Sequence, residues 1–361
     1  MFSLSPLEHS IFWDCLTVLI SLLILKPLAQ YLKLVDHPGG RKEHRKATPL
    51  IGGIALFNGF LVLFLQLHHP NPFILGLLTA SFIIVCVGIQ DDRHDIAPSF
   101  RLIFQIIAIL CLALLGQTYL KYLGNILFIG DIHLGKLGGI AFSTFMLITY
   151  INAINMLDGL DGLASSLIFL QSILLLGVSL AFHDHLTTTL LISFLLMLSV
   201  FMTFNFPIIG RQQAWVFLGD SGSNFIAIFV AGVVMHMANT DISDSIRPLT
   251  FLWIITFPFL DITGVCLARK QRKKSCTLPG RDHIHHLLLD IGFSNVQVLF
   301  ILCIASLSFG LFGFILAFFN IPESIQFVML ILSQVIYCVF RRQLNTVVDY
   351  KLSIHQPLPT N

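Results

Sequence analysis

The chain has 361 residues, of which 56% are hydrophobic and only 11% are charged. A soluble domain usually carries about a quarter of its residues as Asp, Glu, Lys and Arg, so this composition excludes an ordinary soluble protein. The formal charge of +2 is too small to favour nucleic acid as a partner. Seven cysteines are scattered and never form a CxxC pair, which argues against a disulfide framework or a metal knuckle.

Apolar segments long enough to cross a bilayer, about 20 residues each, recur along the whole chain. The predicted spans are residues 11–32, 50–67, 73–90, 101–120, 138–157, 162–182, 187–204, 222–239, 249–268, 295–318 and 324–341. The first ten residues contain Glu8 and no Lys or Arg, so the first segment is expected to stay as a span and not to be cleaved as a signal peptide. The sequence therefore predicts an all-α integral membrane protein of about eleven transmembrane helices, forming one polytopic domain, 1–361.

The distribution of basic residues predicts the orientation of these spans. One set of connections holds 18 of the 21 Lys and Arg residues, and the opposite set holds only Lys121, Lys136 and Arg247. Basic residues favour the cytoplasmic side, so the N-terminus is predicted outside, in the periplasm, and the C-terminus in the cytoplasm. The predicted cytoplasmic loops are about 33–49, 91–100, 158–161, 205–221 and 269–294. They are rich in Asp, Asn, His and Gly, which predicts an active site on the cytoplasmic face.

The first polar motif, DDRHD at residues 91–95, ends the third predicted span. Three carboxylates within five residues repel one another unless a divalent cation or a basic partner neutralises them. A solvated turn is the alternative to a Mg²⁺ or phosphate site. Arg101 follows ten residues after Asp91 and supplies a nearby positive charge.

The second motif, NAINMLDGLDGL, occupies residues 152–163. On a continuous helix, Asn152, Asn155, Asp158 and Asp161 would align on one slowly drifting face. A helix cap needs one such side chain and not four, which favours a functional role. The glycines between them would allow a turn or the close approach of a ligand.

The third motif, FLGDSGS, occupies residues 217–223 just before the eighth predicted span. Asp220 is a plausible ligand for a hard cation, and a helix N-terminus beside glycines suits a phosphate. A simple helix cap is the alternative interpretation of this string.

Two further loops are basic. The run from Arg269 to Arg281 suits anionic lipid headgroups and continues into HIHH at residues 283–286, which could bind a sugar or a diphosphate, or form a zinc site. The segment from Arg41 to Gly53 contains Lys46 and is either a positively charged flank or a diphosphate contact. Asp261 lies within the ninth predicted span, where an ionisable residue usually has a partner inside the bundle.

Together these loops present carboxylates, amides, cations and glycines on one membrane face, which suits a phosphate-bearing substrate and Mg²⁺. An intramembrane prenyltransferase also uses Asp-rich motifs with Mg²⁺, but it would need a second DDxxD-like element. A transporter would need polar residues near the middle of the bilayer, whereas here they collect at one rim.

The order DDxxD, NxxNxxDGxDGL, FxGDSGS and PxRxHIHH resembles the polyprenyl-phosphate N-acetylhexosamine-1-phosphate transferases, and the HIHH form is most similar to their bacterial undecaprenyl-phosphate N-acetylglucosaminyl branch. The resemblance covers nearly the whole chain. It implies transfer of N-acetylglucosamine 1-phosphate from UDP-N-acetylglucosamine to undecaprenyl phosphate, with release of UMP, in the bacterial cytoplasmic (inner) membrane. It also implies Mg²⁺ as the cofactor, replaceable by Mn²⁺, and a place at the start of lipopolysaccharide or O-antigen synthesis. Other UDP-N-acetylhexosamine donors stay open, as does a homodimer.

The resemblance also implies roles for individual residues. Asn155 and Asp220 match Mg²⁺ ligands, and Arg101 matches the residue that binds the lipid phosphate. The positions that match nucleotide-binding residues are Phe217, which stacks on uracil, Asn152 and Asp161. The positions that match diphosphate- and sugar-binding residues are Lys46, Arg281, His283, His285 and His286. The positions that match catalytic acidic residues are Asp91, Asp92, Asp158 and Asp161.

The roles of Asp91 and Asp92 are left with two alternatives. A phosphomonoester with a second pKa near 6 is mostly ionised at neutral pH, so a general base is not required. One of the two carboxylates takes the remaining proton, or both position the lipid phosphate and the metal. Direct in-line transfer is preferred over a covalent aspartyl intermediate.

Overall fold

The computed structural model describes residues 6–37, 47–67, 71–206, 213–240, 246–275 and 280–355. The regular elements of this part of the chain are helices and one two-stranded antiparallel sheet, in which Val35 pairs with Pro49 and Asp36 with Thr48. The elements are α1 (Pro6–Leu28), β1 (Val35–Asp36), β2 (Thr48–Pro49), α2 (Gly52–Gln66), α3 (Pro72–His94), α4 (Pro98–Leu114), α5 (Gly135–Leu157), α6 (Leu163–Ala181), α7 (His185–Asn205), α8 (Gly219–Met237), α9 (Pro248–Ile254), α10 (Thr256–Gln271), α11 (Ile284–Ile291), α12 (Asn295–Phe318) and α13 (Glu323–His355).

Each predicted span overlaps one of these helices or, for 249–268, the pair α9 and α10. In the described part of the chain, eight helices are long and apolar enough to cross a membrane, and the bent α9–α10 pair makes a ninth. The helices α2 and α4 are shorter apolar segments; at 1.5 Å per residue, the 15 residues of α2 reach about 22 Å. The all-helical membrane character is thus confirmed, while the count of eleven spans and the orientation stay predictions.

The most deeply buried helix is α8, which packs against α2, α3, α5 and α6. Two glycines of neighbouring helices pack closely against the N-terminal end of α8. A Cβ atom on Gly53 of α2 would overlap the backbone of Gly222, and one on Gly88 of α3 would overlap the backbone of Ser221. Small residues allow membrane helices to pack backbone against backbone. The start of α8 is therefore fixed between α2 and α3.

The ninth predicted span is a broken helix, which the hydropathy pattern did not indicate. The axes of α9 and α10 differ by 73°, with the break at Ile255. Pro258 lacks the N–H that would bond to the carbonyl of Ile254, and its ring would clash with that carbonyl in a continuous helix. The proline therefore accounts for the break one turn before it.

The ends of several helices meet on one side of the bundle, here called the site end. They include the C-terminal ends of α3, α5, α7 and α10 and the N-terminal ends of α2, α4, α6, α8 and α12. The basic loop before α12 also contains the short helix α11, which was not predicted. The last helix, α13, runs 33 residues, well beyond its predicted end, and packs against α10 and α11. The described residues of the polar motifs thus lie at the site end, as the sequence predicts.

Candidate active site

An open cavity of about 1280 Å³ lies at the site end. Its lining includes eight residues that the sequence singles out: Asp91, Asp92, Asn155, Asp158, Asp161, Phe217, Asp220 and His286. Asp36 of β1, His37 after it, Leu289 of α11 and Asn295 at the start of α12 also line it and were not predicted. No local pattern marks these four residues. Lys46 lies outside the residues that the structure describes.

Asp220 stands in the first turn of α8, and Asp92 caps that turn from the end of α3. The carboxylate of Asp92 accepts hydrogen bonds from the backbone N–H of Asp220 (2.7 Å) and of Ser221 (3.2 Å). The hydroxyl of Ser221 donates to it as well, at 2.9 Å. These N–H groups have no partner inside the helix. Both oxygens of Asp92 are therefore engaged in holding the α8 N-terminus, and with it Asp220.

Asp91 and Arg101 form an ion pair beside this turn. The guanidinium Nη1 of Arg101 lies 2.7 Å from one carboxylate oxygen of Asp91 and 3.9 Å from the carboxylate of Asp220. The other oxygen of Asp91 accepts from the N–H of Ile96 at 2.9 Å. About a third of the Arg101 side chain is exposed, whereas that of Asp91 is buried. Arg101 thus places a partly accessible positive charge between two carboxylates.

The two asparagines of the second motif point in different directions. Asn155 donates to Asp220 at 2.5 Å and to Ser223 at 2.9 Å. Asn152 instead donates to Gln105 of α4 at 2.9 Å and is not among the residues that line the cavity. Rotating the Asn155 amide would present its oxygen toward Asp220, the arrangement that a shared hard cation requires.

The second motif does not form one helical face through residue 161, because α5 ends at Leu157, where the predicted span also ends. Asp158 and Asp161 lie in the turn that follows, and Gly162 closes the turn with a positive φ of 79°, which favours glycine. The carboxylate of Asp161 accepts the N–H of Ala214 at 2.9 Å. The turn is thereby tied to the segment that carries Phe217, whose backbone bonds to Pro49 and Gly52.

Acidic residues outnumber basic residues around this turn, and their mutual repulsion contributes to a raised pKa. Burial raises the pKa of Asp158 to about 8, and the neighbouring carboxylates of Asp220, Asp161 and Asp92 add to the increase. Such a group of oxygens suits a divalent cation. Within the described residues, however, no three His, Cys, Asp or Glu side chains are arranged to hold a metal ion by themselves.

The histidines of the fourth motif reach the same turn from α11. His285 is buried, and a Cβ atom on Gly159 would overlap its ring. Neither ring nitrogen of His285 has a hydrogen-bond partner among the described residues. Burial lowers the pKa of His285 to about 3, and the adjacent His286 adds to this, so the ring is neutral at neutral pH. The glycines of this motif were predicted to allow a turn or the close approach of a ligand. At Gly159, the group that approaches closely is a histidine ring of the same chain.

The remaining predicted positions lie farther from the cavity. His283 is buried at the start of α11 and is not among the lining residues. The partly exposed Arg281 pairs with Asp290 at 3.1 Å. The structure therefore brings the acidic motifs and His286 together around one cavity, with His283 and His285 behind His286.

The sequence of this chain is similar to those of known proteins. Glycosyl transferase family 4 matches residues 74–238, a stretch that contains the acidic motifs and all of α8. The undecaprenyl-phosphate α-N-acetylglucosaminyl 1-phosphate transferase of Haemophilus influenzae is 32% identical over 325 residues, 88% of this chain and 89% of the relative. The chain belongs to this transferase family. The enzymes with the same name from Pasteurella multocida (32% identical; 87% of each chain) and Escherichia coli K12 (30% identical; 89% of this chain, 87% of the relative) are similar over comparable lengths.

The family assignment confirms the resemblance read from the four motifs and makes the chain a membrane-embedded transferase. It does not by itself assign a role to any residue of the site. The roles of the individual aspartates, histidines and arginines therefore stay predictions, which the geometry above makes specific enough to test.

Proposed function

We propose that this chain transfers N-acetylglucosamine 1-phosphate from UDP-N-acetylglucosamine to undecaprenyl phosphate, giving undecaprenyl-diphosphate N-acetylglucosamine and UMP. The observation that carries the proposal is the meeting of Asp91, Asp92, Asn155, Asp158 and Asp220 with the α8 N-terminus at one cavity. The names of the relatives supply the acceptor and the sugar phosphate. The same chemistry with another UDP-N-acetylhexosamine is the second candidate.

In this proposal an oxygen of the lipid phosphate attacks the β-phosphorus of the donor, and UMP leaves. Phosphoryl transfer depends mostly on alignment and on neutralising the charge of the transferred group. The hydrogen bonds of Asp92 hold the α8 turn, and the ion pair of Asp91 holds Arg101. Because the oxygens of both carboxylates are already engaged, direct in-line transfer is favoured over attack by either aspartate.

Arg101 is the proposed contact for the lipid phosphate, since its guanidinium is partly exposed at the end of a membrane helix. Phe217 is the proposed stacking partner of uracil, and its backbone is fixed by β2 and the start of α2. His285 and His286 are the proposed contacts for the sugar and the diphosphate. The unsatisfied ring nitrogens of His285 fit this role, because a buried polar group normally has a hydrogen-bond partner.

Mg²⁺, or Mn²⁺ in its place, is the proposed cofactor, held by Asp220 and Asn155. When bound, it would neutralise charge on the donor diphosphate. The crowded carboxylates and the raised pKa of Asp158 fit a cation at this place. Because the described residues offer no complete protein cage, the ion would share its coordination with substrate oxygens, as Mg²⁺ commonly does.

Release of UMP in detergent tests the proposal. UDP-N-acetylglucosamine is supplied with and without undecaprenyl phosphate, and with Mg²⁺, Mn²⁺ or a chelator. We expect UMP only when the acceptor and a divalent cation are both present. Neither a prenyltransferase nor a transporter would release UMP. A panel of UDP-N-acetylhexosamines then identifies the donor.

The proposed setting is the inner membrane of a bacterium, with the cavity on the cytoplasmic face and the product feeding O-antigen or related lipid-linked polysaccharide. The asymmetry of the basic residues supports this orientation. A reporter fused after Arg342 is expected to report the cytoplasm. A periplasmic signal from that fusion would contradict the orientation and leave the reaction itself unaffected.

A further inference from the structure

A buried carboxylate lies behind the histidines, outside the cavity. Asp261 belongs to α10, three residues after the proline that breaks the ninth span, and only 1% of it is exposed. An ionisable group inside a membrane helix is costly unless it is paired. The three donors around Asp261 therefore define what it does.

Both oxygens of Asp261 accept hydrogen bonds. One lies 2.6 Å from Nδ1 of His283. The other accepts from the hydroxyl of Tyr337 on α13 at 2.6 Å and from the backbone N–H of Ile284 at 3.1 Å. Ile284 is the first residue of α11, so this N–H has no acceptor inside its own helix. A single carboxylate thus joins α10, α11 and α13.

The contact fixes the chemistry of the His283 ring as well as its position. An ionised carboxylate can only accept, so Nδ1 of His283 carries a proton. The partner of one ring nitrogen decides the tautomer, so Nε2 is the acceptor when the ring is neutral. His283 is the residue before α11, yet its side chain makes no cap bond to that helix. Asp261 caps the helix in its place.

The ring of His283 is the first of three neighbouring histidine rings, those of His283, His285 and His286. The His283 and His285 rings lie 6.1 Å apart and nearly parallel, at 18°. The His285 and His286 rings lie 4.1 Å apart. His285 contacts the acidic turn at Gly159, and His286 lines the cavity. Any shift in the first turn of α11 would therefore move both rings relative to the acidic residues.

The residue before His283 is held from two sides. Arg269 of α10 donates to the Asp282 carboxylate at 2.8 Å. Arg341 of α13, which is buried, donates to the Asp282 carbonyl at 2.6 and 3.2 Å. The helices α10 and α13 thus clamp the chain just before α11, and Asp261 adds the bond at the first turn itself.

We infer that Asp261, supported by Tyr337, is a positioning residue for donor binding: it fixes His283 and the first turn of α11, and so holds His285 and His286 against the acidic turn. The identity of the donor rests on the proposed function, whereas the placement of the rings does not. Asp261 is not among the residues that line the cavity, so its proposed effect on the donor passes through α11.

The substitution Asp261→Asn tests this inference, because it keeps the size of the side chain. The amide can still accept from Tyr337 and Ile284 through its oxygen, but it then presents NH₂ to Nδ1 of His283 and forces the other tautomer. We expect the KM for UDP-N-acetylglucosamine to rise about tenfold, the effect of losing one hydrogen bond. The KM for undecaprenyl phosphate and the kcat are expected to change by less than about twofold.

The matched control is Asp14→Asn. Asp14 is fully buried in α1 and accepts from Ser193 and Gln66, each at 2.9 Å. Gln66 ends α2, at the opposite end from the cavity. This variant also removes a buried charge, and we expect it to change the Tm without raising either KM. A donor KM that rises equally in both variants would overturn the inference in favour of general destabilisation.

A double-mutant cycle with His286→Ala separates positioning from a structural role. If Asp261 acts through the rings, the donor KM of Asp261→Asn with His286→Ala will be lower than the product of the two separate effects, because only His285 is then left to be displaced. If the two substitutions raise the donor KM by independent factors, so that the double variant shows the product of both factors, the inference is overturned. Tyr337→Phe removes only one hydrogen bond to Asp261 and should cause a smaller rise in the donor KM. If Asp261→Asn does not fold, Tyr337→Phe replaces it as the test. An unchanged donor KM in Tyr337→Phe would then contradict the inference.

Binding of UDP, measured by calorimetry without turnover, distinguishes two kinds of failure. A wild-type protein that binds UDP but releases no UMP with any acceptor refutes the proposed function. In that case a UDP affinity lowered by Asp261→Asn, but not by Asp14→Asn, still supports the positioning role. Wild-type turnover with an unchanged donor KM in Asp261→Asn refutes the positioning role alone.

Discussion

The acidic cluster and the histidine row meet at one turn but are held in place by different means. In the acidic cluster, charged side chains bond to helix ends and to each other: Asp92 caps α8, and Asp91 pairs with Arg101. In the histidine row, a neutral ring lies over Gly159, and a buried carboxylate behind α11 holds the first ring. The comparison suggests a division of labour, in which the acidic cluster governs turnover and the lipid phosphate, and the histidine row governs donor affinity.

The largest effect is expected from Asp220→Ala. It removes the carboxylate at the centre of the acidic cluster, together with its bond to Asn155. Loss of a group that stabilises transition-state charge lowers kcat by about 100-fold or more. Asn155→Ala should act in the same direction. Steady-state UMP release over a Mg²⁺ titration measures both, and normal activity at ordinary Mg²⁺ concentration in either variant would contradict the metal assignment.

A smaller loss of turnover is expected from Asp92→Ala, which removes the cap of α8. Losing a cap destabilises a helix by about 1 kcal/mol, and a small displacement of Asp220 lowers kcat by about 10- to 100-fold.

The matched control for this variant is Asp184→Ala, because Asp184 caps α7 by accepting from Thr187. That cap lies at the other end of α7 from Asn205 and the cavity. We expect a similar fall in Tm for both variants and lost activity for Asp92→Ala only. Equal activities would mean that the cap does not position Asp220.

Lipid recognition is tested by Arg101→Ala. A hydrogen bond to a charged group contributes about 1.5 to 3 kcal/mol, so the KM for undecaprenyl phosphate should rise about 10- to 150-fold. The KM for UDP-N-acetylglucosamine should stay near the wild-type value. Titrating each substrate at saturation of the other gives both constants. A raised donor KM with an unchanged lipid KM would reverse the proposed division of the site.

The smallest effect is expected from His285→Ala. The ring is neutral, and a neutral hydrogen bond contributes about 0.5 to 1.5 kcal/mol, which corresponds to a rise of about 2- to 12-fold in the donor KM. The same pair of titrations measures it. An effect on the lipid KM, or a kcat loss as large as that of Asp220→Ala, would place His285 with the acidic cluster.

Hydropathy and charge were sufficient to predict the position of most helices, because each apolar segment must satisfy its backbone within itself. The motifs also predicted that Asp91, Asp158 and Asp220 meet at one end, since their helices alternate in direction. Other features depend on contacts between distant segments. The cap that Asp92 provides for α8, the bond of Asp161 to Ala214 and the partners of Asp261 have no local signature. The break before Pro258 did have a local signature, because a proline inside an apolar span removes a backbone hydrogen bond.

The most direct test of the account is the identity of both products in one reaction. The purified protein in lipid vesicles is given undecaprenyl phosphate, UDP-N-acetylglucosamine and Mg²⁺, and mass spectrometry follows the lipid while chromatography follows the nucleotide. We expect the lipid to gain one N-acetylglucosamine phosphate for each UMP released. Release of UDP with a lipid that gains only the sugar, or no modified lipid at all, would contradict it.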